Sequence, residues 1–297
     1  MRHIVTFSGG KDSLATIVWA KKNLKNFEVV FCDTGWEVEK TYEHIKSIEQ
    51  YLESEIKVLK SREFNGFIDL SVKKKRVAST KARFCTEELK TKPMIDYVLS
   101  LQEDVMIYQG VRSDESIARS VLKMKDEYFK FYYEPYGFDK KGRPKYHTYR
   151  KKDVFAFCDK YSVDVFRPII KWNANQVFNY IFSNDLKPNE LYFEGFSRVG
   201  CFPCVQCRHT EIKLIAKSYP DRIDAIRNLE KSIGRTFFPP KYIPPEYCSI
   251  RTVNKKGKVS YVPTIDDVVK YVSDDKNQVE LYVPEPCLSV YNICDKS

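Results

Sequence analysis

The hydrophobic positions of the first 110 residues fall into short apolar runs separated by longer amphipathic ones. Residues 2–7 form an apolar run that stops at Ser8-Gly9-Gly10, which predicts a buried strand entering a tight turn. Leu14 to Leu24 repeats apolar residues at helical spacing, and Phe27 to Cys32 reads as a second buried strand stopped by Asp33-Thr34-Gly35. Val38 to Leu52 is helical again, Ile56 to Leu59 is a third short strand, and Thr86 to Leu101 is a helix interrupted near Pro93. Val105 to Tyr108 is a fourth strand, closed by Gly110. Strands alternating with helices predict right-handed crossovers, hence an α/β fold with a parallel sheet and helices on both faces.

Residues 120–150 break this rhythm. Phe129 to Tyr136 is aromatic and strand-like, and Asp139 to Pro144 is a turn, so the segment is expected to be an inserted hairpin. Val154 to Tyr161 and Ala174 to Phe182 resume helical spacing, and one helical stretch is expected from Arg208 to about Ile233. Paired prolines at Pro239-Pro240 and Pro244-Pro245 then forbid regular helix. Short strand-like pieces follow at Val259 to Val262 and Val279 to Val283. The expected division is an α/β domain over residues 1–235, with its insertion near 120–150, and an irregular C-terminal extension over 236–297.

Composition narrows the class. Of 297 residues, 43% are hydrophobic and 30% charged, a globular balance. No apolar run reaches bilayer-spanning length, and the first strand meets its glycine turn too early for a signal peptide. A cytoplasmic location without membrane attachment is expected. Nine cysteines, an odd number, fit a reduced compartment better than a disulfide framework. The net charge of +10 suits a polyanionic partner, either nucleotide or nucleic acid.

The turn Ser8-Gly9-Gly10-Lys11-Asp12-Ser13 joins a predicted strand to a predicted helix. Two glycines let successive backbone N–H groups converge on an anion, and the helix N-terminus adds partial positive charge. Lys11 supplies a full charge, and Ser8 and Ser13 supply hydroxyl donors. Asp12 fits beside phosphate if Mg2+ bridges the two, or else it caps the helix. The Walker arrangement, with four residues between its first glycine and Gly-Lys, is absent here. The turn resembles the signature of the PP-loop ATP pyrophosphatases, which implies an adenine nucleotide alpha hydrolase-like fold. It also implies ATP and Mg2+ as cofactors and cleavage of ATP to AMP and pyrophosphate.

Further segments resemble the phosphoadenosine phosphosulfate reductase-like branch of that superfamily. They are Phe31 to Gly35, the Cys85-x-x-x-x-Lys90-x-x-Pro93 segment, Gly110-x-Arg112-x-x-Glu115-Ser116, Arg167-Pro168-Ile169, and Asn189 through Cys201. The resemblance implies that Asp33, Thr34 and Gly35 lie near the adenosine. Lys90 and Arg112 are cations suited to phosphate or sulfate oxygens, arginine by gripping two at once. Read without the family, Lys90 is a solvated helix residue and Arg112 a partner for Asp114 or Glu115. Trp172, Tyr132, Tyr133 and Tyr136 are expected to pack the insertion against the core rather than to stack on bases.

Cys201-x-x-Cys204-x-x-Cys207 is metal-ligand spacing. The resemblance implies Cys85 as fourth ligand of a [4Fe-4S] cluster. The iron–sulfur reductases, however, carry two adjacent cysteines where this chain has Phe84-Cys85, and Cys207 then supplies the missing ligand. Zn2+ and metal-free thiols are the alternatives, and His209 is a reserve ligand. Cys32, Cys158, Cys248, Cys287 and Cys294 read as bystanders. Three functions compete: ATP-dependent adenylation supporting sulfur transfer to a nucleic acid or nucleotide, with a cysteine desulfurase or other protein partner; a sulfonucleotide reductase; and a nucleotide-sensing module. The chain's end, with no glycine or histidine after Cys294, departs from the reductase pattern.

Overall fold

The structure is a computed structural model that describes residues 1–79, 82–253 and 257–274. It divides into two units, each discontinuous in sequence. The first comprises Met1–Cys32, Lys40–Leu59 and Lys90–Glu190. The second comprises Asp33–Glu39, Lys60–Leu89 and the chain from Leu191 onward. Residue 235, the boundary expected from the sequence, falls inside the second unit.

The first unit is built on strands β1 (Arg2–Phe7), β2 (Glu28–Cys32), β3 (Lys57–Leu59), β4 (Val105–Tyr108), β5 (Lys125–Glu127), β6 (Gly137–Phe138), β7 (Pro144–Lys145) and β8 (Val163–Phe166). Six of them form one sheet in the order β3-β2-β1-β4-β8-β5. All neighbours are parallel except β5, which runs antiparallel to β8 at the edge. The alternation of strand side chains decides what each face buries. Val5 and Phe7 of β1 pack with Ile17, Ile45 and Val177 from the helices Lys11–Asn23, Glu39–Leu52 and Ala174–Phe182. Ile4 points to the opposite face, against Val98 and Val154 of the helices Lys92–Leu101 and Lys151–Cys158. Helices therefore cover both faces, as the α/β pattern predicts. The strand order reverses beside β1, since β2 lies on one flank and β4 on the other. Such a reversal opens a crevice beyond the carboxyl ends of the two strands.

Several expectations need correction. The break near Pro93 is a π-helical turn, Glu87–Thr91, that passes into the helix with proline near its start. Phe129 to Tyr136 is not a strand: it contains a single 3-10 turn, Lys130–Tyr132, because Tyr132 plugs inward and its neighbours do not alternate. The inserted hairpin does exist but is only the two-residue ladder of β6 and β7. Neither β5 nor β8 was anticipated: β5 is the all-charged Lys125–Glu127, with no apolar pattern to mark it, and β8 is only Val163–Phe166.

In the second unit the expected helix from 208 to 233 is two, His209–Ser218 and Pro220–Ile233, broken where proline cannot continue the first. Strands β9 (Ile250–Val253) and β10 (Val259–Val262) pair antiparallel. A final helix, Ile265–Ser273, was not anticipated, and it packs Ile265, Val268 and Val272 into a core with Ile212, Ile226 and Phe238. Val279 to Val283 and Cys294 lie outside the described residues.

Candidate functional site: a phosphate turn and a cysteine cluster

In the first unit, Ser8 to Ser13 leave the carboxyl end of β1 and enter the helix Lys11–Asn23. Gly9 has φ +76°, a left-handed conformation that favours glycine. Gly10 is the N-cap and contributes no side-chain cap, so the helix N-terminus presents its dipole without a built-in acceptor. Ser13, expected to donate outward, is used to shape the turn: its hydroxyl donates to the Gly10 carbonyl at 2.9 Å and accepts the Ser8 N–H at 3.2 Å. The Ser8 hydroxyl lies 3.1 Å from it.

The charges beside the turn form a chain. Lys11 Nζ lies 3.1 Å from Asp12 Oδ2, and Arg112 Nε lies 2.6 Å from Asp12 Oδ1. Arg112 Nη1 also reaches both oxygens of Asp114, at 2.5 and 2.6 Å. Lys11 and Arg112 are each only 5% exposed, so their pairing with Asp12 offsets the cost of burying charge. Arg112 thus does pair with Asp114, as the bland reading of the sequence expects, and reaches the phosphate turn as well. Asp12 does not cap the helix; one of its oxygens faces Lys11 and the other Arg112.

Gly110 makes this approach possible. A Cβ there would lie 2.5 Å from the Asp12 carbonyl oxygen and 2.6 Å from the Ser13 nitrogen. The loop after β4 therefore presses directly on the first turn of the helix after β1. Lys90, in the π-helical turn, receives the Cys32 thiol at its carbonyl oxygen, 3.7 Å away.

Asp33, Thr34 and Gly35 belong to the second unit. Asp33 accepts the Gly35 N–H at 2.8 Å and pairs with Lys60 at 3.2 Å. Asp33, Gly35, Lys60, Arg62 and Lys73 line a cavity of about 350 Å³. Thr34 donates its hydroxyl to Glu37 at 2.7 Å, and Glu37 is 3% exposed. Glu37 was missed in the sequence, since nothing in Trp36-Glu37-Val38 marks it. Its carboxylate also accepts the Thr34 and Trp36 N–H groups, both at 3.2 Å.

The cysteines of the second unit meet this loop. Phe202 N–H donates to the Trp36 carbonyl at 2.8 Å, and Trp36 Nε1–H to the Pro203 carbonyl at 2.9 Å. Cys201 Sγ lies 3.6 Å from Thr34 Oγ1 and 3.9 Å from Glu37 Oε1. Cys85, Cys201, Cys204 and Cys207 all join the same apolar cluster. Burial pushes the Cys85 thiol up, and nearby Cys204 adds to it. Cys207 is pushed well up by burial, with Glu211 and Cys204 contributing. Soft thiolates suit iron–sulfur or zinc, yet among the described residues no three Cys, His, Asp or Glu side chains converge on one point. The four thiols are gathered but not closed into a metal site. His209 is not a reserve ligand through Nε2, which lies 2.7 Å from the Tyr242 carbonyl. No helix among the described residues is long and apolar enough to cross a membrane.

A model of the phosphoadenosine phosphosulfate reductase domain matches residues 2–207. An uncharacterized 37.8 kDa protein of Escherichia phage 186 is 30% identical over 316 aligned positions, covering 87% of this chain and 86% of that protein. An uncharacterized Methanocaldococcus jannaschii protein is 28% identical, covering 85% of this chain. This chain spans only 56% of that relative, and 39% of a second M. jannaschii protein that is 30% identical. The adenosine 5'-phosphosulfate reductase of Oceanobacillus iheyensis is 26% identical, covering 66% of this chain and 68% of that enzyme. The phosphate turn, the Arg112 loop and all four clustered cysteines lie inside the matched span, and the chain belongs to the phosphoadenosine phosphosulfate reductase domain family.

Proposed function

We propose that this protein cleaves ATP to AMP and pyrophosphate, adenylating an oxygen of a nucleic acid or nucleotide and so activating that position for sulfur transfer. The observation that carries the reading is the phosphate turn: an uncapped helix N-terminus, Gly9 at positive φ, and Lys11 and Arg112 bracketing Asp12. A triphosphate arriving there meets backbone N–H groups and two cations that are already positioned. The acceptor oxygen bonds to the α-phosphorus as the α–β bridging bond breaks, and pyrophosphate leaves with the electron pair. Sulfur comes as a persulfide from a protein partner such as a cysteine desulfurase: its outer sulfur displaces AMP from the activated position, and a thiol reductant supplies the two electrons that cleave the remaining S–S bond. Cys85, Cys201, Cys204 and Cys207 would hold an iron–sulfur cluster, with zinc as the competing ion. In support, all four cysteines pack on the same apolar cluster. Binding requires the Cys201 thiol to exchange Thr34 and Glu37 for metal.

A second reading, reduction of a sulfonucleotide to sulfite, is favoured by the similarity to enzymes named adenosine 5'-phosphosulfate reductases. The products decide. Pure protein given ATP and an acceptor should release pyrophosphate and leave AMP on the acceptor, to be freed as AMP once the sulfur donor displaces it, and ADP with orthophosphate would overturn the reading. Sulfite released from adenosine phosphosulfate in the presence of a thiol reductant would install the reductase in its place.

A further inference from the structure

Residues 128–152, most of the insertion together with the start of the helix Lys151–Cys158, carry a surface that the phosphate turn does not explain. They hold eight basic residues against two acidic ones, most of the chain's net +10 within 25 residues. They also expose five aromatic rings: Phe131 at 40%, Tyr133 at 50%, Tyr136 at 51%, Phe138 at 65% and Tyr146 at 36%. Packing was expected for Tyr132, Tyr133 and Tyr136: Tyr132 is buried, Tyr133 stacks one face on Phe155 at 4.8 Å while staying half exposed, and Tyr136 is half exposed. Large apolar groups normally find cover, so five exposed rings on one short segment, Tyr133 covered on one face by Phe155, point outward to a ligand.

The surface is rigidly mounted. Tyr132 donates its hydroxyl to the Tyr149 carbonyl at 2.6 Å, and Tyr149 donates to Asp96 at 3.1 Å. Arg150 holds the same carboxylate at 2.8 Å. The exposed rings are already arranged: Tyr136 stacks on His147 at 5.0 Å with 24° between planes, and Phe131 meets both edge-on. The acidic groups are turned to structure. Asp139 accepts the N–H groups of Lys141 and Arg143 at the hairpin turn, and Glu134 lies 3.5 Å from Lys130. Lys140, Lys141 and Lys145 remain on the exposed side.

We propose that this segment binds single-stranded nucleic acid, the rings stacking on unpaired bases and the lysines tracking the phosphates. Open ring faces need bases that are not already stacked in a duplex, and the charge matches a polyanion. The proposal deepens the nucleic-acid branch of the reading above, but the contact itself does not depend on ATP cleavage.

The test is fluorescence anisotropy of the full chain with labelled single-stranded DNA and RNA of about 16 nucleotides, alongside the matching duplex. The wild-type protein should prefer the single strand, and raising salt should weaken it. Tyr136→Ala with Phe138→Ala should weaken binding by about tenfold or more while ATP cleavage is unchanged. Lys140→Glu with Lys145→Glu should do the same and flatten the salt dependence. Lys11→Ala should abolish ATP cleavage and leave strand binding intact, which separates this proposal from the proposed reaction. Equal affinity for duplex, wild-type affinity in both double variants, or no binding at low salt would each overturn it, the last leaving a protein as the occupant of the surface.

Discussion

Arg112 Nε donates to Asp12 Oδ1 at 2.6 Å although 100 residues separate them. This contact ties the loop after β4 to the turn after β1, so the two cations beside the turn share one carboxylate. Because Arg112 and Asp12 are both largely shielded from water, removing either leaves a shielded charge one partner short, Arg112 with Asp114 alone or Asp12 with Lys11 alone. Arg112→Ala and Asp12→Ala should each destabilise the fold by about 3 kcal/mol. The double variant should lose markedly less than the sum, giving a coupling of about 1–3 kcal/mol in urea unfolding. Additive losses would mean that the pair does not exist in solution. Arg112→Lys should keep the fold yet lose most ATP cleavage, since an ammonium cannot span Asp12 and Asp114 together.

The close approach at Gly110 is separately testable. Gly110→Ala forces a methyl group against the Asp12 backbone, where neither side can yield cheaply. A loss of about 1–3 kcal/mol is expected, together with weaker nucleotide binding as the helix start is displaced. Gly137→Ala meets nothing within 4 Å and should change stability by less than about 0.5 kcal/mol. Equal melting temperatures for the two variants would contradict the contact.

His44 predicts an acid-sensitive fold. Burial lowers its pKa to about 4, its ring lies 6.0 Å from Phe7, and its Nε2 has no hydrogen-bond partner. The unfolded chain therefore takes up a proton at a higher pH than the folded one. The stability that His44 allows is complete above about pH 6.5 and declines as pH falls toward 4, by about 3 kcal/mol in all. Urea unfolding at a series of pH values should show this slope in the wild type and lose most of it in His44→Leu. A slope unchanged by that substitution would assign the acid sensitivity to other groups.

The thiol set makes a metal prediction. Protein prepared without oxygen should carry iron and sulfide, and each of Cys85→Ser, Cys201→Ser, Cys204→Ser and Cys207→Ser should lower the metal bound per chain. Glu37→Gln should ease metal loading, because it weakens what holds Thr34 beside the Cys201 thiol. Zinc without sulfide would make the ion structural. Metal content unchanged in Cys85→Ser would remove Cys85 from the set.

The sequence alone determined the alternation of strands and helices, the phosphate turn and the cysteine spacing. Those features are local: a period of two or 3.6 residues, or a glycine pair before a helix, is written in consecutive positions. Family membership was legible for the same reason, since its motifs are short runs at strand ends. Tertiary structure decided whatever depends on residues distant in the chain. The four-residue β8 becomes a strand because β4 and β5 supply hydrogen bonds on both sides. Asp12 gains Arg112 as a partner because Gly110 lets two loops touch. Glu37 acquires a role only when Thr34 and Cys201 are brought to it. Tyr132 and Tyr133 are identical neighbours in sequence, yet one is buried and the other half exposed, because burial depends on what the rest of the chain places over each ring.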